Sequence, residues 1–111
     1  MKIMRKLILI ALAVLATALL AVPAIAAGGR VVRVGDSFYH PGKVTVGRGT
    51  RVTWKWGGVL RHNVFVLSGP VKFHSKTFVS GSFSHVFSKK GKYVIFCTLH
   101  PTNMRETIIV K

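Results

Sequence analysis

The hydrophobic pattern of this chain changes rhythm once, close to its start. From Leu7 to Ala27 apolar residues run almost unbroken, behind the basic Lys2, Arg5 and Lys6 and ahead of the small-residue triplet Ala24, Ile25 and Ala26. A basic head, an apolar middle and an A-x-A end are the order of a secretory signal peptide. Met1 to Ala26 is therefore expected to be a signal peptide, with cleavage leaving a mature domain of residues 27–111. The alternative is an uncleaved anchor, because the apolar stretch nearly reaches the length that spans a bilayer. Pro23 and the alanine-rich end favour cleavage.

Beyond Gly28 and Gly29 the pattern breaks into short β-like runs between turn residues. Arg30 to Val34 (RVVRV) ends at the Gly35-Asp36 break, and Lys43 to Val46 (KVTV) ends at Gly47 to Gly49. In Arg51 to Trp56 (RVTWKW), Val52, Trp54 and Trp56 fall on one face and Arg51, Thr53 and Lys55 on the other, the alternation of a half-buried strand. His62 to Leu67 (HNVFVL), Ser82 to Phe87 (SFSHVF), Tyr93 to Cys97 (YVIFC) and Glu106 to Lys111 (ETIIVK) read the same way. Ser68 to Ser80 has no clear period. These runs predict about seven strands, no helix and one all-β domain, a Greek-key β-sandwich with antiparallel pairing. The aromatic residues Trp54, Trp56, Phe83, Phe87, Tyr93 and Phe96 are expected in or near its core.

Charge narrows the choice of partners. The 111-residue chain carries +15, and removal of Lys2, Arg5 and Lys6 with the signal leaves +12, with Asp36 and Glu106 the only acids. Such a field attracts anionic partners and is salt-sensitive. Nucleic acid is an improbable partner for an exported domain. An acidic protein or an anionic membrane or envelope surface fits better, and the plain alternative is that the charge serves solubility.

One cysteine in an exported chain has no disulfide partner within it, so Cys97 is an intermolecular bridge, an inert buried thiol or a metal ligand. His100 follows three residues later and Met104 four after that, in CTLHPTNM, and Met104 is the only methionine of the mature chain. A thiolate, imidazoles and a thioether form a soft donor set that suits copper. A second histidine must come from elsewhere, among His40, His62, His74 and His85. His62 is best placed, following Gly57-Gly58 and opening an apolar run where loops gather at a sandwich rim. Its neighbour Asn63 is positioned to bridge to the ligand loop at Thr98. Arg61 and Arg105 each adjoin a candidate ligand.

The sequence HNV at His62, GKYVIFC ending at Cys97, CTLH to His100 and the nearby Met104 together resemble the type 1 blue copper proteins, or cupredoxins, especially the plastocyanin and amicyanin group. The resemblance spans nearly the whole mature chain. It implies a Greek-key sandwich in which His62, Cys97 and His100 bind copper equatorially and Met104 binds axially. It also implies that His62 is the more buried histidine and that the edge of His100 meets the surface within an apolar patch. The His100 to Met104 spacing has one more intervening residue than amicyanin-like loops and one fewer than plastocyanin-like ones. The function implied is a monomeric one-electron carrier, not an enzyme, that meets an acidic redox partner protein in the periplasm or on the outer face of the envelope. Copper scavenging or delivery, a metal-free basic sandwich on anionic surfaces, and zinc occupancy are the other readings.

Overall fold

The computed structural model describes residues 29–111; the expected signal peptide, its cleavage site and the start of the mature domain lie outside them. Eight strands follow in order: β1 Arg30–Gly35, β2 Phe38–His40, β3 Lys43–Val46, β4 Thr50–Trp56, β5 Phe65–Ser68, β6 Gly81–Phe87, β7 Gly91–Phe96 and β8 Arg105–Val110. They form two four-stranded sheets, ordered β2-β1-β4-β6 and β3-β8-β7-β5. No described residue is helical.

Alternation decides what each sheet turns inward. Along β4 the burial pattern alternates strictly at Val52, Trp54 and Trp56, while Arg51 and Lys55 face solvent. From the other sheet Tyr93, Ile95, Ile108 and Val110 join them, and Val32, Val34, Val64 and Phe87 complete the core. Trp54 lies at its centre, with the rings of Phe73, Phe83 and Phe87 within 5.9–6.3 Å. Among the described residues, the eight strands and this core span residues 30–111 and share a single hydrophobic core.

One strand joins the expected seven or so, and two expectations need correction. The eighth strand is β2, a three-residue run opposite the end of β1, too short to show a period in the sequence. Pairing is mixed rather than antiparallel: β1 runs parallel to β4 and β3 parallel to β8. Alternating hydrophobicity reports which face is buried and carries no information about strand direction, which follows from how the chain crosses between the sheets. The run from His62 is a strand only from Phe65. His62 and Val64 instead bond to the aperiodic segment, with His62 and Phe78 exchanging backbone bonds of 3.0 Å and Ser75 N–H donating to Val64 O at 2.8 Å.

Register gives the sandwich two poles. Strands β1, β4 and β7 run toward one end, where Trp56, Phe96 and the loop after β7 lie, and β6 and β8 return from it. At the opposite end the Gly47–Thr50 turn, the β6–β7 turn and Lys111 meet, with Gly49 N–H donating to Phe87 O at 2.7 Å and Arg48 N–H to Lys111 O at 3.2 Å. Gly49 has φ 89°, in the left-handed region that glycine adopts without a side-chain clash.

Candidate metal centre

The loop after β7 is a compact wrap closed on its own backbone. His100 N–H donates to Cys97 O at 3.1 Å, Met104 N–H to His100 O at 3.1 Å, and Cys97 N–H to Met104 O at 3.2 Å. The residues singled out in CTLHPTNM are thus bound to one another through the main chain. Cys97 and Met104 are fully buried, and His100 is half-buried.

The fourth residue arrives from the segment that leads into β5, the strand paired beside β7. His62 has no exposed surface, and its Nδ1 lies 4.0 Å from Cys97 Sγ. Its ring centroid is 5.2 Å from that of His100. The other histidines lie elsewhere: His40 is exposed on β2, His74 stacks on Phe65 at 4.7 Å, and His85 stacks on Phe73 at 3.8 Å. Burial holds the His85 pKa below the usual imidazole value.

Two sets of contacts hold this geometry. Asn63, beside His62, grips the loop twice: its Nδ2 donates to Thr98 Oγ1 at 2.8 Å and its Oδ1 accepts from Thr98 N–H at 3.0 Å. This is the bridge that its position in the sequence suggests. Tyr39 Oη donates to Asn63 O at 2.6 Å, and Trp56 Nε1 donates to His62 O at 3.0 Å. Burial, followed by the charges of Cys97 and Glu106, drives the Tyr39 phenol far above its ordinary range, so this hydroxyl stays a donor.

The second set contains a residue that the sequence did not mark. Asp36, which reads as a turn residue after Gly35, places Oδ1 3.1 Å from His62 Nε2. Its carboxylate also accepts from Val59 N–H at 3.1 Å and Leu60 N–H at 3.0 Å. The Leu60 amide bond first, and the His62 bond next, hold the Asp36 pKa below the usual carboxylate value. A side chain at Gly58 would collide with the Asp36 carboxylate, so that position is held to glycine. With Nε2–H donating to Asp36, the lone pair of His62 sits on Nδ1, the nitrogen that faces Cys97.

Do these donors fit a metal ion? Bonds of about 2.0–2.1 Å to imidazole and about 2.3 Å to thiolate, as for zinc, hold N and S roughly 3.6–3.8 Å apart at tetrahedral to trigonal angles. The observed 4.0 Å is within a few tenths of an ångström of that span. Among the described residues no three His, Cys, Asp or Glu side chains are already closed around one point. The set is joined by pairs instead, His62 to Cys97 and His62 to His100. One buried thiol, one buried and one half-buried imidazole, and a buried thioether on the same loop are a donor chemistry that suits copper.

Comparison with known proteins agrees with this chemistry. A family model described as copper binding proteins, plastocyanin/azurin family, matches residues 30–111. No curated protein sequence gives a match. Among solved structures, the reduced state of an amicyanin mutant superposes with a TM-score of 0.67 at 26% identity, covering 75% of this chain and 82% of that one. A novel purple cupredoxin from Nitrosopumilus maritimus superposes with a TM-score of 0.66 at 23% identity, over 74% of this chain and 99% of that one. The Cu-containing nitrite reductase (NirK) from Thermus scotoductus SA-01 does so with a TM-score of 0.68 at 24% identity, over 75% of this chain but 22% of its own. The last two likenesses, below a quarter identity, speak for the fold alone, and this chain spans only about a fifth of the reductase.

Proposed function

The chain belongs to the copper-binding plastocyanin/azurin family, the cupredoxins, with copper as its cofactor, and from that premise we propose that it is an exported one-electron carrier whose copper would be held by His62, Cys97, His100 and Met104. The observation that carries this reading is the buried approach of Cys97 Sγ to His62 Nδ1, 4.0 Å apart, beside the half-exposed ring of His100.

Bound copper supplies the chemistry of a Cu(I)/Cu(II) couple, which takes up and releases one electron. The protein's part is to keep the donors still. Asp36 fixes the tautomer of His62, and Asn63 clamps the loop that carries Cys97. Burial of Cys97 shields its sulfur from stray oxidation and disulfide exchange. Met104 as a further donor that would hold the copper is supported by its burial and by the backbone bonds that close the loop.

His100 is the surface outlet of the site. Around it Leu99 is 51% exposed, and Val59 and Leu60, whose amides bind Asp36, are 76% and 51% exposed. This apolar rim fits transient docking of a redox partner protein on a monomeric carrier. His62, Cys97 and Met104 are fully enclosed, so only the edge of His100 meets the surface, an arrangement that suits electron transfer better than substrate binding. Arg61 and Arg105, both exposed at this end, suit an acidic partner. Export behind Met1 to Ala26, with residues 27–111 as the working domain in the periplasm or outside the cell, completes the reading.

The test is to load the protein with Cu(II) and record optical and electron paramagnetic resonance spectra beside a Cys97→Ser variant. An intense visible charge-transfer band that bleaches reversibly on reduction and is absent in the variant is expected. A band that persists without Cys97, or copper that cannot be cycled, would overturn the assignment.

A further inference from the structure

The molecule is electrically lopsided. Both acids lie in the half that carries the candidate metal centre: Asp36 follows β1 and bonds His62, and Glu106 is the second residue of β8, counted from that end. Neither is free to neutralise the surface, because Glu106 is buried and Asp36 is occupied by His62 and two amides. Among the described residues no Lys or Arg lies within ion-pair distance of a carboxylate.

The opposite pole is a concentration of cationic side chains with no acidic side chain among them. Arg48 and Lys111 are joined through their backbones, Lys89 and Lys90 stand in the β6–β7 turn, and Arg51 and Arg30 open β4 and β1 at the same end. All six are exposed. Like charges gathered without acidic side chains among them repel one another, so the arrangement costs folding stability and is relieved by an anionic partner.

We propose that this pole docks on an anionic lipid bilayer and stands the His100 end outward, about 20 Å away along β4 at the usual strand rise. Loop-borne cations on one face of a domain match the negative potential of a bilayer. The chain's own course favours lipid over a soluble polyanion. Arg30 pairs in register with Val52 near the start of β4, and Gly29 packs against the backbone of Arg51, so the basic and apolar sequence of residues 1–28 joins the domain at this pole. Cleavage after Ala26 would add an α-amino charge here, and retention would bring the apolar stretch to the same face. Either state turns this pole toward the membrane through which the chain leaves. The docking needs neither copper nor any ligand assignment, so it stands or falls apart from the electron-carrier reading.

The experiment uses metal-free residues 27–111, which contain all eight strands, and vesicles of equal parts phosphatidylglycerol and phosphatidylcholine at low salt. Each Lys or Arg near such a surface contributes about fivefold in partitioning. The quadruple variant R48Q/K89Q/K90Q/K111Q should bind on the order of several hundredfold more weakly. The variant R33Q/K55Q/R61Q/R105Q, with the same charge loss elsewhere, should lose less than about tenfold. Equal losses in the two variants would overturn the assignment of the pole, as would tight binding to soluble polyglutamate with none to the vesicles. A readout without variants is NMR broadening by spin-labelled lipid. Gly47 to Gly49 and Ser88 to Lys90 should broaden while Thr98 to Asn103 stay sharp, and the reverse pattern would also overturn it.

Discussion

Asp36 shows how one side chain controls the chemistry of another without sharing its place in the sequence. Its carboxylate accepts from the Val59 and Leu60 amides, which anchor it, and from His62 Nε2, which it orients. Partners of this kind raise the basicity of a metal-binding imidazole, and losing one typically costs 10–100-fold in metal affinity. Asp36→Ala is therefore expected to weaken Cu(II) binding by about that factor in a chelator competition. Asp36→Asn should weaken it less, since the amide oxygen still accepts from Nε2–H. In the metal-free protein, nitrogen NMR of His62 should report Nε2–H in the wild type and a tautomer mixture in the alanine variant. Unchanged affinity together with an unchanged tautomer would reduce Asp36 to a loop anchor.

At the scale of elements, β8 holds an exception to the pattern that built it. The alternation that buries Ile108 and Val110 also turns Glu106 inward, where it is 1% exposed. Trp54 Nε1–H donates to Oε1 at 2.8 Å, and Oε2 has no partner. Burial raises the Glu106 pKa to about 8, against the smaller opposing effect of the Trp54 bond. The native state therefore keeps a proton that the unfolded chain releases above about pH 4.5. The stability that this difference contributes is full below that pH and is lost as pH rises through about 8. Urea unfolding of the metal-free protein should show stability falling across this window by a few kcal/mol. Glu106→Gln should flatten the slope. An identical slope in that variant would mean that another group titrates.

Across the whole molecule, one end carries the apolar rim beside His100 and the other a cluster of six cations, and each end has its own test. At the metal end Arg61 and Arg105 are exposed beside the apolar rim, and Arg105 Nε donates to Pro101 O at 2.9 Å, which ties that cation to the loop carrying His100. Charge steering of this kind changes association rates by about 10–10³-fold. Reversing both charges should slow reduction by an acidic redox partner by at least about tenfold at low salt, with the difference fading at high salt. Stopped-flow reduction at several ionic strengths measures this, and a salt-independent rate equal to that of the wild type would remove both arginines from docking. At physiological salt the cations at the far pole should leave this rate unaffected, because about 20 Å exceeds the screening length of about 8 Å there.

Much of this was legible before any coordinates. Alternation in RVTWKW and ETIIVK carries its own instruction about which face is buried, because side chains on a strand point to opposite sides by turns. The clustering of Cys97, His100 and Met104 is a local property, since a loop of eight residues keeps its members together wherever it lies. Even the bridge from Asn63 to Thr98 follows from adjacency to His62 once the two loops share a rim. Strand direction was not legible, because a period of two is the same read either way, and β1–β4 and β3–β8 proved parallel. The meaning of the two acids was also hidden. Asp36 and Glu106 look alike as charges in a basic chain, and only the crossing of β1 and β8 through the sandwich seals one in the core and places the other against His62. The gathering of six cations at one pole likewise needs tertiary structure, since Arg48, Lys89 and Lys111 are far apart in sequence and meet only because the strands return to the same end.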